Sequence, residues 1–308
     1  MVSCVTKNCQ VAKVRKIKAQ ILKILNGNMT AICDNLIYEC EPSGKAKKSK
    51  IIVGDYVELE DNKYGKKWTV SKVYERNNSL VRPAIANIDQ LFLIISKLPK
   101  TDYILIDKMI IYCTINNIVP YIVINKIDLY NKEEIDDIIA EYKGIVGDVI
   151  LTNGKTGCGI DNIMQYLPDK FSAFAGQSAV GKSTILNAIA PNLDLKTNGL
   201  SHKINRGMHT TRHSEIFVLD NNIRIADTAG FSMLNLDIDA NPINLYRYYP
   251  DFADYCDCRY SNCDHTNIDD KDCKVASAVK EGKINKNRYE RYIKLYKILK
   301  EEWRKKYD

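Results

Sequence analysis

Three short motifs stand along this chain of 308 residues in an order that restricts its fold. Asn125-Lys126-Ile127-Asp128 comes first, Gly176-Gln177-Ser178-Ala179-Val180-Gly181-Lys182-Ser183 comes second, and Asp227-Thr228-Ala229-Gly230 comes last. Each motif follows an apolar segment with the length and composition of a buried strand. Loops at the carboxyl ends of parallel strands meet at one edge of a sheet, so the three motifs can share one site in any chain order. The motifs therefore predict a doubly wound α/β sheet.

The second motif, residues 176–183, has the composition of a phosphate loop, and we use that name for it below. An apolar segment precedes it and a helical segment follows it, which is the context that such a loop requires. Gly176 and Gly181 allow backbone N–H groups to surround a phosphate at a helix N-terminus. Lys182 would reach the β- and γ-phosphates, and Ser183 would ligate Mg²⁺. Taken alone, the motif also fits a strand-to-helix turn with an incidental lysine. The predicted nucleotide contacts here are Gly176, Gln177, Ser178, Ala179, Val180, Gly181, Lys182, Ser183 and Thr184.

The first motif, residues 125–128, is suited to reading a purine base, and we call it the base motif. The Asp128 carboxylate can accept hydrogen bonds from guanine N1–H and from the 2-amino group. Adenine has no such pair of donors, so ATP would leave this carboxylate unpaired. Asn125 can connect the base motif to the phosphate loop, and the Lys126 stem can cover the base.

The third motif completes a GTP site. Asp227 can hold Mg²⁺ through water, and the Gly230 N–H can meet the γ-phosphate. Alone, this motif also fits an ordinary turn after a strand. All three motifs together predict binding of GTP and GDP with Mg²⁺. In the usual GTPase order the base motif comes last, whereas in this chain it comes first.

Three regions along the chain differ in their pattern. Residues 14–82 contain five short segments with strand character, the fourth of them over residues 51–60, separated by turn signals. An OB-fold or an SH3-like barrel would produce this pattern. From Leu91 on, buried strands alternate with helices, as in a doubly wound α/β sheet. After about residue 240 we expect helices only, ending in a basic amphipathic helix at residues 285–307. The predicted domains are residues 1–82, 83–239 and 240–308.

A cysteine-histidine cluster lies in the third region, with the spacing C-x4-C-x-H-x7-C. Three thiolates and one imidazole would close a tetrahedral Zn²⁺ site, so we expect one structural zinc ion and no zinc catalysis. The alternative is a set of free thiols in a loop, and Cys256 is a spare candidate nearby. The predicted ligands are Cys258, Cys263, His265 and Cys273.

The net charge of +7 is concentrated at the two ends of the chain. Residues 1–82 carry 16 basic against 8 acidic residues and residues 280–308 carry 11 against 5, whereas residues 83–279 carry 18 against 25. Basic surfaces beside a GTP site favour contact with RNA, although charge also keeps proteins soluble. Without a secretory signal or an apolar run long enough for a bilayer, we expect a cytoplasmic protein without membrane contact. The ten cysteines are then not a disulfide framework.

The segment between the phosphate loop and Asp227 contains candidate switch residues. A threonine here can ligate Mg²⁺ and sense the γ-phosphate. Many GTPases use a glutamine directly after the third motif to orient water, but Phe231 stands at that place. His209 is the nearest side chain in sequence that could do so, unless it is a solvated loop histidine.

Taken together, these motifs resemble the RsgA family of circularly permuted GTPases. The resemblance extends from about residue 14 to the end of the chain and includes the three nucleotide motifs and the cysteine-histidine cluster. It also includes Gly207 with His209-Thr210-Thr211, and Gly282-Lys283-Ile284 with Arg288-Tyr289. Such a family member has an OB-like barrel, a permuted GTPase domain and a helical zinc domain.

The resemblance also implies function and site roles. It implies a GTP hydrolase that assists late maturation of the 30S ribosomal subunit, contacts 16S rRNA, acts as a monomer and is stimulated by that subunit. It implies that Thr211 ligates Mg²⁺ together with Ser183 and Asp227, and that His209 and Lys182 support hydrolysis. The competing hypothesis is an RNA-binding scaffold with a structural nucleotide and incidental hydrolysis.

The chain departs from the family pattern at a few positions. Ala179 replaces a usual glycine, Ala229 a usual proline, and Arg212 a usual threonine. The loop that supports the base often reads Ser-Ala, but here Asn153-Gly154 follows Thr152. None of these departures removes a predicted phosphate, magnesium or zinc ligand.

Overall fold

A computed structural model describes residues 15–62, 67–80, 84–191, 215–227 and 241–307. The chain forms two compact units, with the boundary between Arg76 and Asn77. None of the described helices is both long and apolar enough to cross a membrane. The predicted domain limits at residues 82 and 239 stay predictions.

The first unit is a five-stranded barrel. Its strands follow the order β1-β2-β3-β5-β4, and β4 pairs back to β1. Every pair is antiparallel except β3 with β5. A register shift between Ile21 and Lys23 bends β1 so that it can pair with both neighbours. The predicted N-terminal barrel is therefore confirmed. The strands are β1 (Lys16–Leu25), β2 (Asn28–Cys33), β3 (Leu36–Pro42), β4 (Tyr56–Glu60) and β5 (Trp68–Val73).

Local sequence explains the tight turns of the barrel. Asn26 and Gly27 join β1 to β2 with φ values of 49° and 81°, and Asp34 and Asn35 join β2 to β3 with 48° and 61°. These residue types tolerate the left-handed region that two-residue hairpin turns require. Inward-facing apolar side chains fill the interior: Ala19, Ile21, Met29, Ala31, Cys40, Ala46, Val57, Leu59 and Val70.

One predicted strand of the barrel is shorter than expected. The sequence pattern suggested a strand over residues 51–60, but β4 begins only at Tyr56. The buried Asp55 carboxylate accepts the Ile52 N–H at 2.8 Å and pairs with Arg76 at 2.6 Å. These contacts hold a turn in which Gly54 has a φ of 88°. The strand therefore begins only after this turn.

The second unit contains a six-stranded sheet in the order β10-β9-β8-β11-β13-β12. All neighbours are parallel except the hairpin of β12 with β13. The alternating strands and helices confirm the predicted α/β architecture. The strands of this sheet are β8 (Gln90–Ile95), β9 (Val119–Ile124), β10 (Val149–Leu151), β11 (Phe171–Ala175), β12 (Glu215–Leu219) and β13 (Ile223–Asp227). Two further short strands, β6 (Ser79–Leu80) and β7 (Ile85–Ala86), pair only with each other. The helices are α1 (Tyr103–Ile115), α2 (Lys132–Tyr142), α3 (Ile160–Met164) and α4 (Lys182–Ile189).

The centre of this sheet is buried on both faces. Phe92 stacks on Phe174 at 4.8 Å and on Tyr121 at 4.9 Å between ring centroids. The side-chain amide of the buried Gln90 donates to the Tyr166 carbonyl and the Ser172 hydroxyl, each at 2.8 Å. The strands that carry the base motif and the phosphate loop therefore contribute to the buried core.

Residues 241–307 belong to the same unit and form helices that are separated by loops. They form 3-10 helices at Pro242–Tyr248 and Pro250–Tyr255, followed by α5 (Lys274–Lys280) and α6 (Lys286–Tyr307). An aromatic cluster joins these helices: Tyr249, Phe252, Tyr289, Tyr292 and Tyr296. Arg288 of α6 is buried and pairs with Asp107 of α1 at 2.8 Å and with Asp251 at 2.9 Å.

Candidate nucleotide site and metal centre

Two of the three motifs meet at one edge of the sheet. The base motif follows β9 and the phosphate loop follows β11, and β8 lies between these strands. The third motif begins at the end of β13, which pairs with β11 on its other side. The parallel direction of these strands places all three strand ends on the same side.

Two glycines allow the phosphate loop to come close to its neighbours. A Cβ at Gly176 would lie 2.6 Å from the Ile94 carbonyl oxygen. A Cβ at Gly181, whose φ is 101°, would lie 2.1 Å from Asn125 Nδ2. Helix α4 begins directly after Gly181 with Lys182, and Ser183 lies in its first turn. N–H groups at the start of a helix can bind an anion.

Asn125 holds the base motif against two other loops. Its side chain is buried, and Nδ2 donates to the Val180 carbonyl of the phosphate loop at 2.8 Å. Its Oδ1 accepts the Gly154 N–H at 2.9 Å and the Thr152 hydroxyl at 3.3 Å. The segments that carry the predicted base and phosphate contacts are therefore connected directly.

Lys126 reaches across the phosphate loop. Its backbone has a left-handed φ of 58°, and its ammonium group donates to the Ala179 carbonyl at 2.8 Å and to the Leu98 carbonyl at 2.7 Å. Asp128 lies in a short 3-10 helix, Ile127–Leu129, and its Oδ1 accepts a hydrogen bond from Asn153 Nδ2 at 2.7 Å.

The structure adds side-chain contacts that the sequence analysis missed. Gln177 of the phosphate loop accepts the Asp102 N–H at 2.8 Å through Oε1, at the start of α1. Asn153 contacts Asp128 directly, although the sequence indicated only that the loop after Thr152 departs from the family pattern. Asn153 follows a strand that pairs with the strand of the base motif, which is the signal that could have indicated this contact.

Several predicted residues lie outside the described part of the chain. These are His209, Thr211, Gly230 and Phe231, and of Asp227 the structure describes the backbone only. Of the three predicted Mg²⁺ ligands, Ser183 is therefore the one whose position is described in full. The roles of these residues stay predictions.

The predicted cysteine-histidine ligands come together in the C-terminal region. The ligand atoms of Cys258, Cys263, His265 and Cys273 all lie within 4.8 Å of one another. The Cys258 and Cys273 sulfurs lie 3.9 Å apart, and each lies 3.5 Å from His265 Nδ1. Zn–S and Zn–N bonds of about 2.3 and 2.05 Å in a tetrahedron would place two sulfurs about 3.8 Å apart and sulfur and nitrogen about 3.6 Å apart. The donor set thus fits a tetrahedral metal ion.

Burial shifts the pKa values of two groups in this cluster. Burial raises the pKa of the Cys273 thiol to about 12, so the thiolate needs a nearby positive charge. Burial lowers the pKa of His265, which favours the neutral imidazole that ligates metals. Cys256 takes a different partner, since its thiol donates to the Phe252 carbonyl at 3.0 Å.

This fold and site define a circularly permuted GTPase. The sequence matches the family model of the RsgA GTPases over residues 73–237. The chain belongs to the RsgA GTPase family, and it is a GTP hydrolase. The match and the barrel confirm the predicted fold class.

Relatives match the chain over almost its whole length. A protein of Caldanaerobacter subterraneus subsp. tengcongensis named small ribosomal subunit biogenesis GTPase RsgA is 38% identical, and the match covers 96% of this chain and 99% of that protein. A protein of the same name from a Geobacillus species is 38% identical over 92% of this chain and 98% of its own length.

Two solved structures have the same fold. The crystal structure of YjeQ from Thermotoga maritima has a TM-score of 0.79 and 31% identity, and the match covers 92% of this chain and 99% of that one. The structure of YloQ, described as a circularly permuted GTPase, has a TM-score of 0.76 and 30% identity, covering 94% and 96% of the two chains.

Proposed function

We propose that this chain assists the late maturation of the small (30S) ribosomal subunit, contacts its 16S rRNA, and hydrolyses GTP faster when bound to that subunit. Relatives that carry the name of a small-subunit biogenesis GTPase match 92–96% of this chain, which supports this role. The excess of basic residues in residues 1–82 and 280–308 supports contact with RNA phosphates. We further propose that the chain works as a monomer in the cytoplasm.

The observation that carries the nucleotide assignment is the position of Asn125 between two loops. Because its amide joins the base motif to the phosphate loop, a nucleotide can span both. Asp128 would accept the two guanine donors, and the Lys126 stem would lie along the base. The phosphate contacts would come from residues 176–184, Asp227 and Gly230.

Hydrolysis would depend on charge neutralisation and on one oriented water molecule. Lys182 would neutralise charge on the β- and γ-phosphates. Ser183, Thr211 and Asp227 would hold Mg²⁺, which supplies further positive charge at the phosphates. Phe231 has no group that can orient water, so His209 would do this. Contact with the subunit would bring His209 to the attacking water and so raise the rate.

Zinc would have a structural role in the C-terminal region. The described side chains Cys258, Cys263, His265 and Cys273 supply four ligands, which leaves no position for a substrate in a tetrahedral site. The ion would hold the loops between Tyr255 and α5 against the aromatic cluster.

GTP turnover titrated with purified 30S subunits, with 50S subunits as the control, tests the proposal. We expect slow basal turnover, clear stimulation by 30S and none by 50S. Lys182→Ala should abolish turnover, and His209→Ala should bind GTP but lose most of the stimulated rate. Tight GTP binding with no stimulation by 30S would instead support a scaffold with a structural nucleotide.

A further inference from the structure

The phosphate loop completes the N-terminal cap of α1. The Asp102 carboxylate accepts the N–H groups of Ile104 at 3.0 Å and Leu105 at 3.2 Å, which is the usual role of the residue before a helix. The N–H of Asp102 itself donates to Gln177 Oε1 of the phosphate loop at 2.8 Å. A backbone N–H can only donate, so the Gln177 amide is oriented with its oxygen towards α1. The phosphate loop is therefore bonded directly to the start of α1.

The C-terminal helix α6 contacts the same part of α1. The Arg291 guanidinium lies over the Tyr103 ring, 5.4 Å from its centroid. Arg288 and Arg291 both donate to the Asp107 carboxylate, which is buried. Ile104 packs against the buried core that contains the aromatic cluster. These α1 residues all lie within the first five residues of the helix, so α6 and the phosphate loop hold one short segment.

The charges between α1 and α6 fix the position of this segment. A buried carboxylate is stable only while its cationic partners remain in contact with it, so the Asp107 contact resists movement of α1 relative to α6. The two arginines are themselves held by further carboxylates. Arg288 pairs with Asp251 at 2.9 Å, and Arg291 pairs with Glu141 of α2. The charge network thus joins α1, α2 and α6.

We propose that Asp107 and Gln177 are positioning residues for the phosphate loop, so that the attachment of α6 to α1 sets the affinity of the site for guanine nucleotides. The inference rests on the proposed function, because it requires the phosphate loop to hold the nucleotide. A loop that already has its binding conformation loses less entropy when the ligand arrives, so it binds more tightly. Asp107 keeps α1 in place, and Gln177 transmits this position to the loop. The coupling is reciprocal, so a bound nucleotide also stabilises the attachment of α6.

Asp107→Asn tests the α6 end of this connection. The substitution keeps the shape of the side chain but removes the charge that both arginines contact. We expect GDP affinity to fall about fivefold, which is the size of a modest coupling between two sites. Asp55→Asn is the matched control. Asp55 is also a fully buried carboxylate paired with an arginine, Arg76, but it lies in the barrel, in the other compact unit. Its substitution should leave GDP affinity unchanged.

Gln177→Met tests the other end. Methionine is unbranched and similar in length to glutamine, but it has no amide oxygen for the Asp102 N–H. We expect GDP affinity to fall about fivefold, the size of one lost hydrogen bond. If both residues act through α1, the double variant should also lose about fivefold, whereas independent effects would multiply to about 25-fold. Titration with a fluorescent GDP analogue measures the affinity of all four chains.

Hydrogen exchange separates positioning from a loss of stability. Saturating GDP should slow amide exchange along α6 in the unmodified chain. This protection should be lost in Gln177→Met, although α6 keeps its own contacts with α1 in that variant. Gln177 is only half-buried, so Gln177→Met should fold and decide the inference even if Asp107→Asn unfolds.

Three results would overturn the inference alone. These are unchanged GDP affinity in Asp107→Asn, multiplied losses in the double variant, and protection of α6 by GDP that persists in Gln177→Met. If the unmodified chain shows no preference for GDP over ADP, the proposed function fails and the inference fails with it.

Discussion

The Asn125 side chain donates a hydrogen bond to the Val180 carbonyl at 2.8 Å, although 55 positions separate the two residues in sequence. The contact needs the adjacent glycine, because any side chain at Gly181 would lie where Asn125 Nδ2 stands. The same amide accepts the Gly154 N–H. One buried side chain therefore holds together the base motif, the phosphate loop and the loop after β10.

Asn125→Ala should weaken both the fold and nucleotide binding. The substitution leaves the buried Gly154 N–H and Val180 carbonyl without a partner, so we expect the free energy of unfolding to fall by about 2–3 kcal/mol. GDP affinity should fall at least about tenfold, because the two loops lose their fixed spacing. Urea unfolding and titration with a fluorescent GDP analogue measure the two effects. Asn162→Ala, at an exposed position of α3, is the matched control and should change neither.

Ala179→Gly should stabilise the chain. Ala179 has a φ of 65°, a left-handed conformation that costs an alanine about 1 kcal/mol and a glycine very little. Since glycine loses about 0.5 kcal/mol more backbone entropy on folding, we expect a net gain of about 0.5 kcal/mol. Ala188→Gly, inside α4, is the control and should lower stability by about 1 kcal/mol. If thermal unfolding showed both variants destabilised to the same extent, strain at Ala179 would be excluded.

Local patterns explain how much of this structure could be predicted. The phosphate loop is specified by its own glycines and by the strand and helix on either side. The sequence of residues 176–183 and of these neighbours was therefore sufficient to predict it. The four cysteine and histidine ligands lie within 16 consecutive residues, and the metal chemistry restricts their spacing. In both cases the information is contained in a short segment.

The contacts that could not be predicted join distant segments through polar side chains. Arg288 and Asp107 are 181 positions apart, and nothing in either local sequence indicates the other. The contact of Gln177 with the first turn of α1 spans 75 positions. Hydrophobic periodicity shows which residues are buried but not which buried charges are paired. The roles of His209 and Thr211 still rest on family resemblance, because the structure does not describe these residues.

Cys263→Ser should remove the metal ion, whereas Cys256→Ser should not. Cys263 belongs to the four-ligand cluster, but the Cys256 thiol bonds to a backbone carbonyl instead. We expect close to one equivalent of zinc in the unmodified chain and in Cys256→Ser, and almost none in Cys263→Ser. Metal analysis by mass spectrometry measures this directly. Cys263→Ser should also unfold the C-terminal region while nucleotide binding remains largely intact. Full zinc content in Cys263→Ser would show that the ligand assignment is wrong.

Asp107→Asn should loosen the attachment of the C-terminal helix α6 to helix α1. The Asp107 carboxylate is fully buried on α1 and accepts hydrogen bonds from Arg288 and Arg291 of α6. Arg288 keeps Asp251 as a partner and Arg291 keeps Glu141, but both lose a charged acceptor in the interior. Breaking a buried pair of this kind costs about 3 kcal/mol, so the free energy of unfolding should fall by that amount.

Proteolysis and hydrogen exchange can locate the effect of Asp107→Asn. Because α1 and α6 contact each other through this carboxylate, amide exchange should rise along α6 and remain nearly constant in the five-stranded barrel, which lies in the other compact unit. Asp161→Asn is the control, since Asp161 is exposed on α3 and its charge is solvated. Equal exchange along α6 in both variants would mean that the aromatic cluster is sufficient to hold the helix without the buried charges.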